Sequence, residues 1–291
     1  MTDTLSPGFR AGLAVLVGRT NAGKSTLLNR LTGHRLAIVT PKPQTTREAV
    51  HGVVNRPRGQ VVFVDTPGFF KTHASRRVDR LHEKAREALE DVEVGVQVVD
   101  PTRAPGEEDR MVREVLAGVS RPRILCLSKR DLARRPHREA WLAESPAPAA
   151  VVEVSGQTGE GAEELVERIL DQLPVAEPLY PPDIPSNVHR TFQIGELVRE
   201  QVYLQMDDEI PYRTEVVVDA VREAVSPAGR PRLEVDATVL AGQPRHQGML
   251  IGIGGRRIRE IRLAARRELE RVLGMRVALD LEVRVDPRLD A

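Results

Sequence analysis

The sequence has a single cysteine and almost no net charge. Cys126 stands alone among 291 residues, so an intrachain disulfide is excluded, and one thiol fits a reducing cytoplasm. The 43 basic and 42 acidic residues leave a formal charge of +1, so the overall charge indicates no particular partner. A nucleic-acid signal therefore has to come from local clusters of basic residues.

Long apolar runs are also missing, since none approaches the ~20 residues that a membrane-spanning helix needs. Ala11–Val17 could pass for the apolar part of a signal peptide. A glycine-rich loop follows it, however, where a signal peptide has a cleavage site with small residues. We interpret this segment as the first buried strand of a parallel sheet, in a cytoplasmic protein.

Short apolar segments alternate with charged, amphipathic segments over residues 1–173. Helical patterns include Val78–Asp91 and Met111–Ala117. The strand candidates are Leu13–Val17, Val61–Val64, Val94–Val99, Ile124–Leu127 and Val151–Val154. This alternation predicts an α/β domain with a doubly wound, mostly parallel sheet, in which ligands bind beyond the carboxyl ends of the strands.

The chain changes character after residue 173. Five prolines between Pro174 and Pro185 indicate a stiff interdomain linker, which we place at residues 174–189. A smaller α+β domain is predicted at residues 190–291. Its candidate elements are a helix at Gly195–Met206, strands at Thr214–Ala220 and Leu233–Leu240, a glycine loop, a basic helix at Arg256–Leu273 and a strand at Arg276–Val285.

Residues 18–25 match the phosphate-binding pattern G-x-x-x-x-G-K-[ST]. Its glycines let backbone N–H groups surround phosphates, and the following helix adds its positive N-terminus. Lys24 is predicted to bind the β- and γ-phosphates and to act in catalysis, and Ser25 to bind Mg²⁺. We assign nucleotide binding here to Gly18, Asn21, Ala22, Gly23, Lys24, Ser25 and Thr26.

The next strand ends in Asp65-Thr66-Pro67-Gly68. An aspartate at this distance after a P-loop can hold the Mg²⁺ shell, and the N–H group of Gly68 can meet the γ-phosphate. Upstream, a threonine of the pair Thr45-Thr46 can complete the Mg²⁺ shell when a γ-phosphate is present, and we favour Thr46 because relatives of this class place the ligand directly before an arginine, here Arg47. Phe69 cannot orient water and no arginine finger is evident, so intrinsic hydrolysis is expected to be slow.

Two later segments favour GTP over ATP. In Ser128-Lys129-Arg130-Asp131, the carboxylate of Asp131 can accept two hydrogen bonds from guanine, which adenine cannot donate. Lys129 is expected to lie along the base, and the backbone N–H groups of Ser155 and Gly156 to meet the guanine O6. GTPases generally carry Asn where this chain has Ser128, and Ala where it has Gly156.

With these motifs, the sequence resembles the bacterial Era family of GTPases. The resemblance rests on Gly18–Leu28, Pro41–Arg47, Asp65–Gly68, Ala88–Val92, Glu209–Tyr212 and Met249–Ile258. It implies GTP, GDP and Mg²⁺ as ligands. Asn21 is similar to the asparagine with which related GTPases bind K⁺, and a role in shaping the loop stays equally open.

The resemblance also identifies the second domain as similar to a KH domain, whose mark is a Gly-x-x-Gly loop between two helices. A basic helix follows that loop, as expected for an RNA-binding face. We assign RNA binding to Gly252, Ile253, Gly254, Gly255, Arg256 and Arg257. The family implies the 3′ end of small-subunit ribosomal RNA and the small ribosomal subunit as partners. We expect a monomer, and association with the inner face of the membrane stays open.

Three alternatives remain at this point. The chain could be another translation-linked GTPase, which would carry a different appended domain. It could be an RNA-binding module whose nucleotide site has weakened, as the departures at Ser128, Gly156 and Phe69 allow. A P-loop ATPase is opposed by Asp131.

Overall fold

The structure is a computed structural model that describes residues 7–42, 45–46, 50–67, 91–118, 120–145, 147–207, 209–225 and 229–290. The chain divides into two compact units, Met1–Asn187 and Val188–Ala291. Among the helices of these described ranges, none combines the length and the apolar character that crossing a membrane requires.

The first unit is built on a six-stranded sheet with the strand order β2-β3-β1-β4-β5-β6. All neighbouring strands are parallel except β2 and β3, which are antiparallel. The strands are β1 (Arg10–Val17), β2 (Val50–Arg56), β3 (Gly59–Asp65), β4 (Val94–Val99), β5 (Arg123–Leu127) and β6 (Ala150–Glu153). The predicted doubly wound, mostly parallel sheet is confirmed, whereas β2 is absent from the predicted strands.

Within the described residues of this unit, the helices are α1 (Lys24–Thr32), α2 (Glu107–Ala117), α3 (Arg138–Glu144) and α4 (Ala162–Gln172). Helix α2 begins with three acidic residues, which favour the positive end of a helix. Helix α4 buries Leu165, Val166, Ile169 and Leu170, the spacing of a helix with one apolar face. The predicted helix Val78–Asp91 lies outside the described residues except for its last residue.

Residues 174–187, which we call the proline strap, belong to the first unit and lie along the edge of its sheet. The buried side chain of Gln60 accepts hydrogen bonds from the N–H groups of Leu179 (2.8 Å) and Tyr180 (2.9 Å). Its amide nitrogen donates to the carbonyl of Tyr180 at 2.8 Å. The N–H group of Val53 donates to the carbonyl of Pro185 at 2.8 Å. Most of the segment predicted as a linker is therefore held on β2 and β3.

The second unit has a three-stranded sheet with the order β7-β8-β9. Strands β7 and β8 are antiparallel, and β8 and β9 are parallel. The elements are α5 (Arg190–Gln205), β7 (Thr214–Val225), β8 (Pro231–Ala241), α6 (Pro244–Ile251), α7 (Arg256–Leu273) and β9 (Arg276–Val285). Helix α7 buries Ile261, Ala265 and Leu269 at intervals of four residues, so one face joins the core. The predicted α+β class is confirmed.

Candidate nucleotide site and RNA-binding loop

The P-loop, residues 18–25, connects β1 to α1 as predicted. Gly18 lies so close to β4 that a Cβ atom there would stand 2.3 Å from the carbonyl oxygen of Val98, so only glycine fits. Lys24 is buried, and its ammonium donates to the carbonyl groups of Gly18 and Arg19, both at 3.0 Å. The side chain thus lies folded along the loop that would surround a phosphate chain.

Three side-chain oxygens meet beside the P-loop. The hydroxyl of Ser25 donates to Asp65 Oδ2 at 2.8 Å, and the hydroxyl of Thr46 donates to the same oxygen at 3.2 Å. The two hydroxyl oxygens are 3.2 Å apart. Asp65 Oδ1 is buried and has no hydrogen-bond partner within the described ranges. Hard oxygen donors around a buried, unsatisfied carboxylate oxygen fit Mg²⁺, which prefers such ligands.

Charges in this site are set by burial. Burial lowers the pKa of the Lys24 ammonium and raises the pKa of the Asp65 carboxyl, while the attraction between the two groups opposes both shifts. The hydroxyl of Thr66 donates to the carbonyl of Leu16 at 3.0 Å and ties the end of β3 to β1. Gly68 and Phe69, predicted to meet the γ-phosphate and to leave water unoriented, lie outside the described residues.

The side chain of Ser128 is long enough to reach the P-loop. Its hydroxyl donates to the carbonyl of Ala22 in the P-loop at 2.7 Å, and both residues are buried. The loop after β5 is thereby joined to the P-loop. A hydroxyl has one proton, so this bond leaves Ser128 no donor for a ligand.

Asp131 is oriented by the loop after β6. The Ser155 hydroxyl donates to Asp131 Oδ1 at 2.6 Å, and it accepts from the N–H groups of Gln157 (3.2 Å) and Thr158 (3.0 Å). Asp131 and Gly156 line a cavity of about 260 Å³ next to α1. A carboxylate fixed through one oxygen keeps its other oxygen available for a base.

Close packing explains why glycine stands at position 156. A methyl group at this position would lie 3.1 Å from both the Thr26 Cγ2 and the Leu27 nitrogen. That is tighter than ordinary contact, so glycine lets the loop lie directly on α1. Thr26 lines the same cavity.

Lys129 has a partner that the motif did not predict. Its ammonium contacts Asp100 Oδ2 at 2.6 Å, and Asp100 also accepts from the hydroxyl of Thr102 at 2.6 Å. Burial works against the charged form of Asp100, yet the bonds from Lys129 and Thr102 hold the pKa of this carboxyl below its usual value. The signal was present in the sequence, because Asp100 directly follows a buried strand.

Asn21 connects the P-loop to the segment after α1. It adopts a left-handed backbone (φ 59°), and its amide nitrogen donates to the carbonyl of Pro41 at 2.8 Å. Both residues line a cavity of about 550 Å³ that also includes Lys24, Ser25 and Thr46. This bond shapes the loop, and it leaves the amide oxygen of Asn21 for a cation.

The predicted Gly-x-x-Gly loop lies between α6 and α7 of the second unit. Gly252 has φ 71°, and a Cβ atom there would lie 2.7 Å from the Cβ of Arg257, so the turn requires glycine. The side chain of Ile253 is 98% exposed at the tip of the loop. Met249 and Ile251 are exposed nearby, so apolar side chains flank a glycine backbone that a nucleic acid can approach closely.

Arginines surround this loop with a local excess of positive charge. Arg256 and Arg257 share one carboxylate, Glu260, at 3.0 and 3.5 Å. Gln247 on α6 is uncharged, and its amide donates to the carbonyl of Val283 at 3.0 Å. The arginines, rather than this position, therefore supply the positive charge here.

Comparison with known proteins supports both units. A family described as 50S ribosome-binding GTPase matches residues 13–129. A family described as KH domain matches residues 209–288. The first match includes the P-loop and Asp65 and ends at Lys129, before Asp131, and the second includes the Gly-x-x-Gly loop with the surrounding sheet.

Relatives that are similar over almost the whole chain share one name. GTPase Era of Geobacter sp. strain M21 is 37% identical over 95% of this chain and 93% of its own length. GTPase Era of Pseudomonas aeruginosa is 36% identical over 98% of this chain and 93% of its own length.

Two solved structures share the fold. A crystal structure of Era with MgGDPNP and nucleotides 1506–1542 of 16S ribosomal RNA superposes with a TM-score of 0.87 at 31% identity, covering 96% of this chain and 94% of the other. A variant of Aquifex aeolicus Era bound to GDP and AlF₄⁻ gives 0.86 at 30% identity, with coverage of 96% and 95%. These likenesses confirm the resemblance and exclude the other translation-linked GTPases and the P-loop ATPase: the chain belongs to the Era family of GTPases.

Proposed function

We propose that this chain hydrolyses GTP with Mg²⁺ and binds the 3′ end of small-subunit ribosomal RNA, and thereby assists assembly of the small ribosomal subunit. The RNA assignment is carried by one observation. The related Era structure that holds nucleotides of 16S ribosomal RNA matches this chain over 96% of its length, including the unit with the Gly-x-x-Gly loop. We further propose that the protein acts in the cytoplasm as a monomer.

The proposed roles in the nucleotide site follow from the contacts. Ser25, Thr46 and Asp65 would hold Mg²⁺, which supplies positive charge to the phosphate oxygens when bound. Lys24 would leave the P-loop carbonyls for the β- and γ-phosphates. Asp131 would read the base. Catalysis would then be positional and electrostatic, with a slow intrinsic rate.

Titration of the purified full chain tests the proposal directly. We expect the protein to hydrolyse GTP with Mg²⁺ and not to hydrolyse ATP. We also expect it to bind tightly an RNA with the 3′-terminal sequence of the small-subunit ribosomal RNA. RNA binding without GTP turnover would favour an RNA-binding module with a weakened nucleotide site.

Binding of a potassium ion at the amide oxygen of Asn21 stays a prediction. Exchange of potassium for sodium tests it, because the exchange should slow GTP turnover in the wild type but not in Asn21→Ala.

Ser128→Asn is expected to tighten GDP binding. An asparagine amide can keep the bond to the Ala22 carbonyl and offer a second group to the base, whereas the hydroxyl proton is already used. One added hydrogen bond corresponds to about 1–2 kcal/mol. Isothermal titration calorimetry with GDP measures the change, and an unaltered affinity would contradict the view that position 128 faces the nucleotide.

A further inference from the structure

Arg19 occupies a position that the phosphate-binding pattern leaves open, yet its side chain is only 7% exposed. One terminal nitrogen contacts Asp109 Oδ2 on α2 at 3.1 Å. The guanidinium also lies over the ring of Trp141 on α3, 5.9 Å from its centroid. We call these three residues the Arg19 cluster.

The Arg19 cluster holds a second loop, residues 100–106, which follows β4. Arg19 donates to the carbonyl of Ala104 at 3.4 Å, and the Trp141 indole N–H donates to the carbonyl of Arg103 at 3.0 Å. Asp109 Oδ2 accepts from the N–H group of Gly106 at 3.0 Å. All three members of the cluster thus bond to the backbone of this loop.

Both loops carry groups of the nucleotide site. The carbonyl of Arg19 itself accepts from the Lys24 ammonium at 3.0 Å. Loop 100–106 begins with Asp100, which holds the Lys129 ammonium at 2.6 Å. The backbone positions of residues 19 and 100 therefore determine where the two lysines of the site lie, one on the phosphate side and one on the base side.

We propose that Arg19 is a positioning residue for nucleotide binding: its buried guanidinium, joined to Asp109 and Trp141, sets the P-loop and loop 100–106 in the geometry that receives GTP or GDP. The inference rests on the proposed function. A binding site that is already ordered before the nucleotide arrives avoids the loss of conformational entropy that ordering it on binding would cost. We expect the two charges to matter little for fold stability, because a buried ion pair often contributes little net stability.

The test removes both buried charges together. Arg19→Met with Asp109→Asn, whose amide oxygen can still accept from the N–H group of Gly106, is expected to keep a melting temperature close to wild type, and to raise the Kd for GDP and the KM for GTP by about tenfold or more, the scale of one strong interaction. Turnover at saturating GTP is expected to stay within about threefold of the wild-type rate, since the variant weakens nucleotide binding and leaves the chemical step unchanged. A purely structural role would instead lower the melting temperature and leave KM unchanged.

A matched control uses Arg113 and Glu144, which join the same two helices at 2.8 Å without touching the P-loop. Arg113→Met with Glu144→Leu is expected to leave KM unchanged. Equal rises of KM in both double variants would overturn the proposal, because helix packing alone would then explain them.

Arg19→Lys provides a second, milder variant. It keeps a buried positive charge beside Asp109 but lacks the flat guanidinium over Trp141 and its bond to Ala104. A folded protein with a smaller rise of KM is expected, and a KM equal to wild type would overturn the proposal. Absence of GTP binding in the wild type would contradict the proposed function itself, which separates the two failures.

Discussion

Asp131→Asn is expected to weaken GTP and GDP binding by at least about 100-fold, since each hydrogen bond to a charged group contributes about 1.5–3 kcal/mol and two are lost. Asp131 lines the cavity next to α1, and its Oδ1 accepts from the Ser155 hydroxyl at 2.6 Å. The amide NH₂ group that replaces a carboxylate oxygen donates hydrogen bonds, and it would face guanine groups that also donate. Xanthine has a 2-oxo group that accepts, so the variant should prefer xanthosine nucleotides. Competition binding with GDP, XDP and ADP measures this change.

Two neighbouring variants show whether the carboxylate is responsible. Ser155→Ala removes the hydroxyl that orients Asp131 and is expected to weaken guanine binding less than the loss of the carboxylate does. Arg130→Ala changes the residue between the two charged positions of the loop, where Arg130 pairs with Glu160 at 3.0 Å, and should leave base preference unchanged. Wild-type affinity of Asp131→Asn for GDP would show that the base lies elsewhere.

The grouping of the candidate nucleotide-site residues was predictable, because their motifs are local in the sequence and lie at the ends of buried parallel strands. The structure brings Ser25, Thr46 and Asp65 within 3.2 Å of one another, although 19 residues or more separate Thr46 from each of the others. Topology explains this convergence, since the carboxyl ends of parallel strands meet at one edge of the sheet. Alternating elements are enough to predict that edge.

Features that depend on pairs of distant residues were not predictable. Arg19 gives no sign in the sequence of its partner 90 residues later, because any residue is allowed at its position in the motif. Strand β2 was missed because His51, Gly52 and Asn55 interrupt its apolar pattern at an edge of the sheet. The proline strap has the composition of a linker, and its bonds to Gln60 on β3 and Val53 on β2 appear only in the structure.

Replacing Ile253 and Gly254 together by aspartate is expected to abolish RNA binding and leave GTP binding unchanged. The loop tip accepts both residues: Ile253 is 98% exposed, and a Cβ atom at Gly254 meets nothing within 4 Å. Gly254 has φ 58°, a backbone conformation that aspartate tolerates better than most residues. The variant should therefore fold, and two carboxylates would stand where an RNA backbone must approach the glycines.

The matched control places asparagine at the same two positions. Asparagine has the size and the backbone tolerance of aspartate without its charge, so a much smaller loss of RNA affinity is expected. Equal losses in the two variants would mean that shape rather than charge excludes the RNA, and full affinity in the aspartate variant would mean that the RNA binds elsewhere.

The arginines supply an independent check. Arg256→Ala should weaken all RNA sequences alike and lower the slope of log affinity against log salt by roughly 0.7, the effect of one lost phosphate contact on a single strand. A smaller change would mean either that Arg256 contacts no phosphate or that Glu260, 3.0 Å away, already neutralises its guanidinium.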